Sequence, residues 1–241
     1  MSSALVVGPR GMKRAVELFT FERTSTHSPK VEFAWQTRSE PEESFISVAV
    51  TYWEMVVTRQ GDAVHLTVRG PESRATTARI PQEAEFFGIV FSPGTFMPSL
   101  PPGRLVDRSL TLPRATNTSV WLDGSRLELP GPETVDVFVD RLVTNGQLVH
   151  DPVASAAVSG NVQALSARSV ERRVSRATGL TRGAIRQIRR AERAVELLSR
   201  GVSPLDVAHQ VGYADQPHLT RSLKRFVGQT PTQIATSATS D

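Results

Sequence analysis

Short apolar runs with an alternating pattern dominate residues 30–130 and predict β-strands. The runs are ISVAVTYWEMVVT, AVHLTVRG, TTARI and EFFGIVF, and the turn-like segments QGD, GPES and PQEAE separate them. In AVHLTVRG the apolar positions 64, 66 and 68 alternate with the polar positions 65, 67 and 69, which is typical of an antiparallel strand with one buried face. The proline-rich FSPGTFMPSLPPG is predicted to be a loop that leaves the sheet.

Helical spacing replaces the alternating pattern further along the chain. Val135, Phe138, Val139 and Leu142 recur at intervals of three and four residues and predict a short amphipathic helix that closes the β-rich part. The following TNGQLVHDP is predicted to be a linker. We therefore predict two domains: a β-rich sensing or dimerisation domain at residues 1–148 and an all-helical domain at residues 149–241.

The helical part contains an internal repeat. A shift of 49 positions aligns VERRVSRATGLT with LTRSLKRFVGQT, and the arginines, the apolar positions and the glycine coincide. Ser166 and Asp215, which are good N-cap residues, fall at equivalent places just upstream. Each copy is thus predicted to be a helix of about three turns that begins after an N-cap and ends at a glycine.

A shorter helical pattern, Leu205–Val211, precedes the second copy. Gly212 ends this pattern, and a turn of three to four residues then leads to the Asp215 cap. A short helix, a glycine-containing turn and a second helix make a helix-turn-helix motif. Thr230 followed by Pro231 predicts the N-cap and the first residue of a last short helix.

The segment TRGAIRQIRRAERAVELLSRG joins the two copies and has helical stripes of its own. Its predicted buried stripe is Ile185, Ile188, Val195 and Leu198, and its second stripe is Arg182, Arg186, Arg189 and Arg193. At ~1.5 Å per residue, a helix over residues 182–199 is roughly 27 Å long. Successive major grooves on one side of B-DNA are about 34 Å apart, so a stiff helix of this length is suited to separate two recognition helices.

The charges are distributed unevenly along the chain. The net charge is +4, but residues 151–241 hold 13 Lys/Arg against 7 Asp/Glu, whereas residues 1–150 hold 15 against 17. Twelve of those 13 basic residues are arginine, whose planar fork fits phosphates and guanine edges. The helical part is therefore the candidate polyanion binder, and on charge alone a solvated basic face is an equally good interpretation.

Composition excludes several classes of site. The chain has no Cys, so disulfides, thiolate metal sites and a Cys nucleophile are impossible. Its apolar runs are too short for a signal peptide or a membrane span, and we expect a cytoplasmic protein.

The residues around the second copy match a known family. VAHQVGYADQPHLTRSLKRFVGQTP, at the centre of Leu205–Ile234, resembles the C-terminal half of the DNA-binding domain of AraC/XylS-type transcription regulators, and the resemblance extends back to about Leu165. It implies an α+β protein: a β-rich, cupin-like N-terminal domain, to which FFGIVFSPGTFMP is similar, and an all-α domain with two helix-turn-helix motifs joined by a linker helix. The first motif departs from the family, because PVASAAVSGNVQAL ahead of it is short and interrupted by Gly160.

The resemblance also implies roles for individual residues. DNA-binding candidates in the first copy are Arg168, Ser169, Glu171, Arg172 and Arg173, of which Arg168, Glu171 and Arg172 are the base-reaching ones. Base-reaching candidates in the second copy are Gln216, His218 and Arg221, while Asp215, Thr220 and Arg225 would cap the helix or lie against the DNA backbone. Further candidates for phosphate contacts are Arg186, Arg189 and Arg193. For His218 the alternative is an ordinary exposed helix residue, and for the arginine stripe it is a solvated face.

The implied partner is double-stranded DNA. A small-molecule effector, a second copy of the chain and, for an activator, RNA polymerase are further expected partners; no cofactor and no membrane partner is expected. An effector pocket would be lined by Trp35, Trp53, Phe87 and Trp121, since aromatic residues dominate such sites. The alternative is that these aromatic residues, together with Phe86, belong to the core.

Two other functional classes fit the chain less well. A cupin-like domain can hold a metal, but the five histidines show no ligand spacing. No phosphate-binding glycine loop, Gly-x-Ser-x-Gly elbow or H-E-x-x-H is present, so we expect no metal, no catalytic residue and no enzyme. The alternatives are a metal-independent or cupin-type enzyme domain fused to a DNA-binding module and a regulator with no effector. A non-specific architectural DNA binder fits the charge, yet it would not need paired motifs with Asp, Gln and His at base-facing positions.

Overall fold

The chain folds into a β-rich N-terminal part followed by a helical C-terminal part. The computed structural model describes residues 5–6, 22–24, 26–39, 44–79, 81–161 and 165–239. Its strands are β1 (Leu5–Val6), β2 (Glu22–Thr24), β3 (Val31–Arg38), β4 (Ser44–Ser47), β5 (Glu54–Gln60), β6 (Ala63–Arg69), β7 (Thr76–Arg79), β8 (Ala84–Phe91), β9 (Thr95–Phe96), β10 (Ser109–Thr111), β11 (Arg114–Thr116), β12 (Ser119–Leu122), β13 (Ser125–Glu128) and β14 (Val149–His150). Its α-helices are α1 (Val135–Thr144), α2 (Pro152–Val158), α3 (Ala167–Thr178), α4 (Arg182–Ser199), α5 (Pro204–Val211), α6 (Gln216–Phe226) and α7 (Pro231–Thr239). This architecture confirms the predicted α+β fold class.

The largest sheet has six antiparallel strands in the order β10-β6-β5-β8-β3-β2. In β6, Leu66 and Val68 are fully buried and Val64 is half-buried, while His65 on the opposite face is exposed, as the alternation predicts. One face of the sheet packs into a core that includes Met55, Phe87 and the buried side of α1. The predicted helix is therefore confirmed, and it does close the β-rich domain.

The segment ISVAVTYWEMVVT does not form one strand as predicted. It splits into β4, which pairs with β7, and β5, which pairs with β6 and β8. Between the two strands the chain contacts the helical domain, where the Ala49 amide donates to the carbonyl of Phe226 at 2.8 Å. At this point a hydrogen bond between the domains takes the place of a hydrogen bond between strands. The local pattern of apolar residues cannot predict this bond, because its acceptor lies in a distant part of the chain.

The proline-rich segment leaves the sheet as predicted, and it makes only short regular elements. These are β9 and a 3-10 turn at Pro102–Arg104. β9 pairs with β14, which lies inside the segment predicted to be a linker, and Leu148 next to β14 is buried. The connection between the β-rich and helical parts is therefore packed against the protein.

The predicted repeat in the helical part is confirmed by its helix caps. Ser166 Oγ accepts a hydrogen bond from the Ser169 amide at 3.3 Å, and Asp215 Oδ1 accepts one from the His218 amide at 2.6 Å. α3 ends at Gly179, which adopts a left-handed conformation with φ of 75°. α4 spans 18 residues, as predicted, and separates the two copies.

The four aromatic residues proposed for an effector pocket do not come together. Trp35 and Phe87 lie on opposite faces of the large sheet, since Trp35 pairs with Gly88, the neighbour of Phe87. Trp53 is buried and stacks on Phe91 at 4.1 Å, and Trp121 is 46% exposed. The prediction of one pocket from these four side chains is therefore wrong, because strand register places them on different surfaces.

Candidate nucleic-acid interface

The second helix-turn-helix consists of α5, a tight turn and α6. Ser203 caps α5 by accepting a hydrogen bond from the Asp206 amide at 3.2 Å. Gly212 ends α5 with a φ of 79°, a left-handed conformation that glycine adopts without steric cost. The turn occupies residues 212–215, and the Asp215 cap then starts α6. Each bend of the motif is thus fixed by a residue suited to it.

One side of α6 is buried and the other is open. Leu219, Leu223 and Phe226 pack into the core of the helical domain. Three of the residues expected to reach bases are exposed: Gln216, His218 and Arg221. A helix that is anchored on one side and presents polar and basic side chains on the other has the form that enters a major groove.

The remaining expected residues of the second motif have structural contacts. Asp215 acts as the N-cap of α6. Thr220 is half-buried, and its hydroxyl donates to the Gln216 carbonyl at 3.0 Å. Arg225 is exposed, with its guanidinium over the ring of Phe226 at 5.0 Å, while its carbonyl accepts a hydrogen bond from the Ala75 amide.

The first motif has a positioning helix, and it differs from the second motif mainly in the connection that follows this helix. α2 has seven residues, against eight in α5, and it begins at an Asp151 cap that accepts from two backbone amides. Gly160 follows the end of α2, as the sequence predicts. The connection to α3 covers residues 159–166, which is longer than the turn at 212–215; residues 162–164 of PVASAAVSGNVQAL lie outside the described part.

The side chains of α3 that are expected to contact DNA are either exposed or bonded to neighbouring residues of the protein. Arg168 and Arg172 are exposed, as is Arg173, although Arg173 forms an ion pair with Asp151 at 3.0 Å. Ser169 is half-buried, and its amide and hydroxyl both contact the Ser166 cap. Glu171 Oε1 accepts a hydrogen bond from the backbone amide of Arg182 at 3.2 Å. Glu171 therefore satisfies a free amide at the start of α4.

The arginines of α4 point in different directions. Arg186 is exposed. Arg189 donates to the carbonyl of Val158, and Arg193 pairs with Glu196 at 2.6 Å. Arg189 and Arg193 are also exposed, and both line a cavity against the β-rich domain.

Arg190 and Tyr213 form a contact that the sequence reading missed. The Arg190 guanidinium lies over the Tyr213 ring at 5.2 Å and donates to the Gly212 carbonyl at 3.2 Å. The Tyr213 ring also meets the His218 ring edge to face, with centroids 5.2 Å apart. Arg190 lies off the arginine stripe of α4, so its spacing gave no signal of this role.

The family comparison agrees with this geometry. Residues 161–237 match the family model of a helix-turn-helix domain. The C-terminal domain is a helix-turn-helix domain of the AraC/XylS type. Among solved structures, the chain is similar to the crystal structure of ToxT from Vibrio cholerae O395, with 9% sequence identity and a TM-score of 0.40 over 92% of this chain and 99% of that chain. No curated protein matches the chain.

The AraC/XylS-type domain shares a core with the β-rich domain. Val48, Ala49 and Phe96 of the β-rich domain belong to the same buried cluster as the apolar faces of α3, α4 and α6. Arg176 of α3 lies over the ring of Phe96 at 5.3 Å. The loop after α3 packs so closely on the 3-10 turn that a Cβ at Gly179 would lie 2.8 Å from backbone atoms of residues 102 and 103. The two domains therefore meet at the C-terminal ends of α3 and α6.

A cavity of about 770 Å³ lies between the β-rich domain and the AraC/XylS-type domain. Tyr52 and Trp53 line it from one side, and Arg189, Glu192 and Arg193 of α4 line it from the other. Burial raises the pKa of the Tyr52 hydroxyl well above its usual value, and the nearby carboxylate of Glu54 raises it further. Tyr52 is therefore a neutral hydrogen-bonding group at physiological pH.

Across the described ranges, no group of three or more His, Cys, Asp or Glu side chains could hold a metal ion. In the same part of the chain, no helix is long and apolar enough to cross a membrane.

Proposed function

We propose that the protein is a sequence-specific transcription regulator that reads adjacent major grooves of double-stranded DNA with α3 and α6. The observation that carries this proposal is the repeated unit itself: two capped helices, each with a buried apolar side and exposed arginines, stand at the two ends of the 18-residue helix α4. A helix of that length is roughly 27 Å long, which suits a groove repeat of about 34 Å.

The exposed side chains supply a chemistry for base readout. Arg172 in α3 and Arg221 in α6 can each donate two parallel hydrogen bonds to the O6 and N7 atoms of guanine. Gln216 can bond an adenine through its amide, and His218 offers a ring nitrogen to a base edge. We assign these four residues to base readout, together with Arg168, and we assign Arg186 and Arg225 to the phosphates.

The contacts of Ser169, Glu171, Arg173, Asp215 and Thr220 support an indirect part in DNA binding. They cap or brace the recognition helices and so fix the direction in which the base-reading side chains point. Phosphate neutralisation by the arginine-rich surface would supply most of the salt-dependent affinity.

We propose that the β-rich domain, at residues 1–148, senses an effector or forms a dimer, and that residues 149–241 bind DNA. The cavity between the domains supports an effector function, because a ligand there would contact both Trp53 and α4. We also propose a cytoplasmic location, contact with RNA polymerase for an activator, and no catalytic residue.

Selection from a randomised duplex pool by the purified full chain tests the DNA-binding function. We expect an enriched motif with two parts whose centres are about one helical turn apart. Recovery of unenriched sequences, at an affinity that depends only on salt, would instead support a non-specific binder. Repeating the selection with added metabolite extract tests whether an effector changes the affinity.

A further inference from the structure

We propose that Tyr213 is a positioning residue that determines base specificity through His218. This inference rests on the proposed function, since it assumes that α6 enters a major groove. Tyr213 lies in the turn between α5 and α6 and is 7% exposed. His218 is exposed on the first turn of α6. The inference therefore links a buried aromatic side chain to a residue at the proposed DNA surface.

The first step is the contact between the two rings. Their centroids are 5.2 Å apart and their planes meet at 82°, which is an edge-to-face arrangement. Aromatic pairs of this geometry attract each other beyond simple burial. This contact restricts the imidazole of His218, an exposed side chain, to one orientation relative to the helix.

The second step is the anchoring of Tyr213 itself. Its amide donates to the Ala208 carbonyl at 2.8 Å, which fixes the backbone to the end of α5. Its hydroxyl is 2.9 Å from the hydroxyl of Ser222, one helical turn beyond His218 on the same side of α6. Tyr213 thus contacts α6 at two successive turns, and these contacts fix the position of its ring beside His218.

The linker helix α4 also holds Tyr213 in place, through Arg190. The Arg190 guanidinium covers the Tyr213 ring and donates to the carbonyl of Gly212. The cation-π contact holds the Tyr213 ring, and the hydrogen bond holds the backbone of the turn beside it. Arg190 therefore connects the orientation of His218 to α4, the helix that carries both motifs.

Together these contacts make His218 a preorganised reader of one base pair. A ring held in place loses little conformational freedom on binding, so its preference for one base edge is sharper than that of a free side chain. Loss of the ring contact should reduce discrimination at that base pair by about 2- to 10-fold, the factor that corresponds to an edge-to-face pair. Affinity for random DNA should not change.

Selection from a randomised duplex pool, followed by sequencing, measures the base preference at every position for each variant of the full chain. We expect His218→Ala and Tyr213→Leu to flatten the preference at the same single base pair. Tyr213→Phe, which keeps the ring and loses only the hydroxyl, is the matched control and should keep that preference within about twofold. The double variant should match His218→Ala alone, because Tyr213 acts through His218.

The outcomes separate this inference from the proposed function. A wild-type chain without any base preference overturns both. A wild-type motif that His218→Ala relaxes and Tyr213→Leu leaves intact overturns the role of Tyr213 only, as does a Tyr213→Leu variant that weakens all positions equally. If Tyr213→Leu does not fold, Arg190→Gln replaces it: a weaker preference at the His218 base pair supports the inference, and an unchanged one overturns it.

Discussion

The backbone amide of Ala49 donates a hydrogen bond of 2.8 Å to the carbonyl oxygen of Phe226, the last residue of α6. The amide of Ala75 makes an equivalent bond of 2.8 Å to the carbonyl of Arg225. The last carbonyls of a helix have no partner within the helix, so the β-rich domain caps the C-terminal end of α6. Any movement of this domain would therefore change the environment of α6.

Gly179→Ala should destabilise the protein more than Gly212→Ala does. Both glycines have a left-handed backbone, with φ of 75° and 79°, and an alanine in that conformation costs about 1 kcal/mol. At Gly212 a Cβ would meet nothing within 4 Å, whereas at Gly179 it would lie 2.8 Å from the backbone of Gly103. The urea unfolding midpoint of each variant measures the effect. Gly212→Ala reports the backbone strain alone, and Gly179→Ala reports the strain together with a steric clash between the domains.

Gly212→Ala is thus the matched control for the contact between α3 and the β-rich domain. Equal losses in the two variants would mean that the loop after α3 is free to move away from the 3-10 turn at residues 102–104. A larger loss in Gly179→Ala, with earlier proteolysis between the domains, would locate the cost at their interface.

Arg221→Ala should lower the affinity for the selected DNA motif by ~1–3 kcal/mol if the guanidinium reads a base. Arg221 is exposed on α6, on the side away from Leu219 and Leu223. Fluorescence anisotropy with the motif and with a scrambled duplex measures the two affinities. Arg59→Ala, on an exposed part of the β-rich domain, serves as the control for the loss of one positive charge. An equal loss on both duplexes would identify Arg221 as a phosphate contact.

The helix caps and helix ends could be predicted from the sequence because nearby residues determine them. The caps at Ser166 and Asp215 and the end of α5 at Gly212 are decided by residues within one turn of the helix, so their side-chain chemistry is enough to place them. The length of α4 follows in the same way from an uninterrupted pattern between Thr181 and Gly201. The helical domain was therefore predictable almost element by element.

Contacts between distant segments explain what the sequence could not predict. No strand is predicted over VEFAWQTR, and β3 is identified there by its pairing with β2 and β8. Arg189 belongs to the same stripe as Arg186, yet it faces a cavity that exists only because the domains are packed together. The direction of an exposed arginine on α4 thus depends on domain docking and not on helical periodicity.

The contact between Asp136 and residues 26–28 should make stability depend on pH in the acid range. Asp136 accepts hydrogen bonds from the Thr26 hydroxyl and from the amides of His27 and Ser28, with the Thr26 bond as the main cause of a pKa lowered to about 2. A lowered pKa in the folded state means that the stabilisation is complete above the unfolded value near 4 and is lost as the pH falls towards 2.

Thermal melts of the wild type and Asp136→Asn between pH 6 and pH 2 check this prediction. The asparagine keeps an acceptor oxygen but does not titrate, so the difference in melting temperature between the two proteins should be constant above about pH 5 and shrink below pH 4. A difference that stays constant down to the lowest pH would show that the charge of Asp136 does not contribute.

Arg186→Ala and Arg189→Ala should have different effects on DNA binding, although both arginines lie on the same stripe of α4. Arg186 is exposed, so its loss should weaken binding to specific and random DNA alike and reduce the slope of log affinity against log salt by about 1. Arg189 donates to the carbonyl of Val158 and faces the cavity, so its loss should leave that slope unchanged and lower the melting temperature instead. Binding titrations at several salt concentrations, with melts of the same samples, separate the two effects. Equal salt slopes for Arg189→Ala and Arg186→Ala, both below the wild-type slope, would mean that Arg189 leaves the cavity and contacts a phosphate when DNA binds.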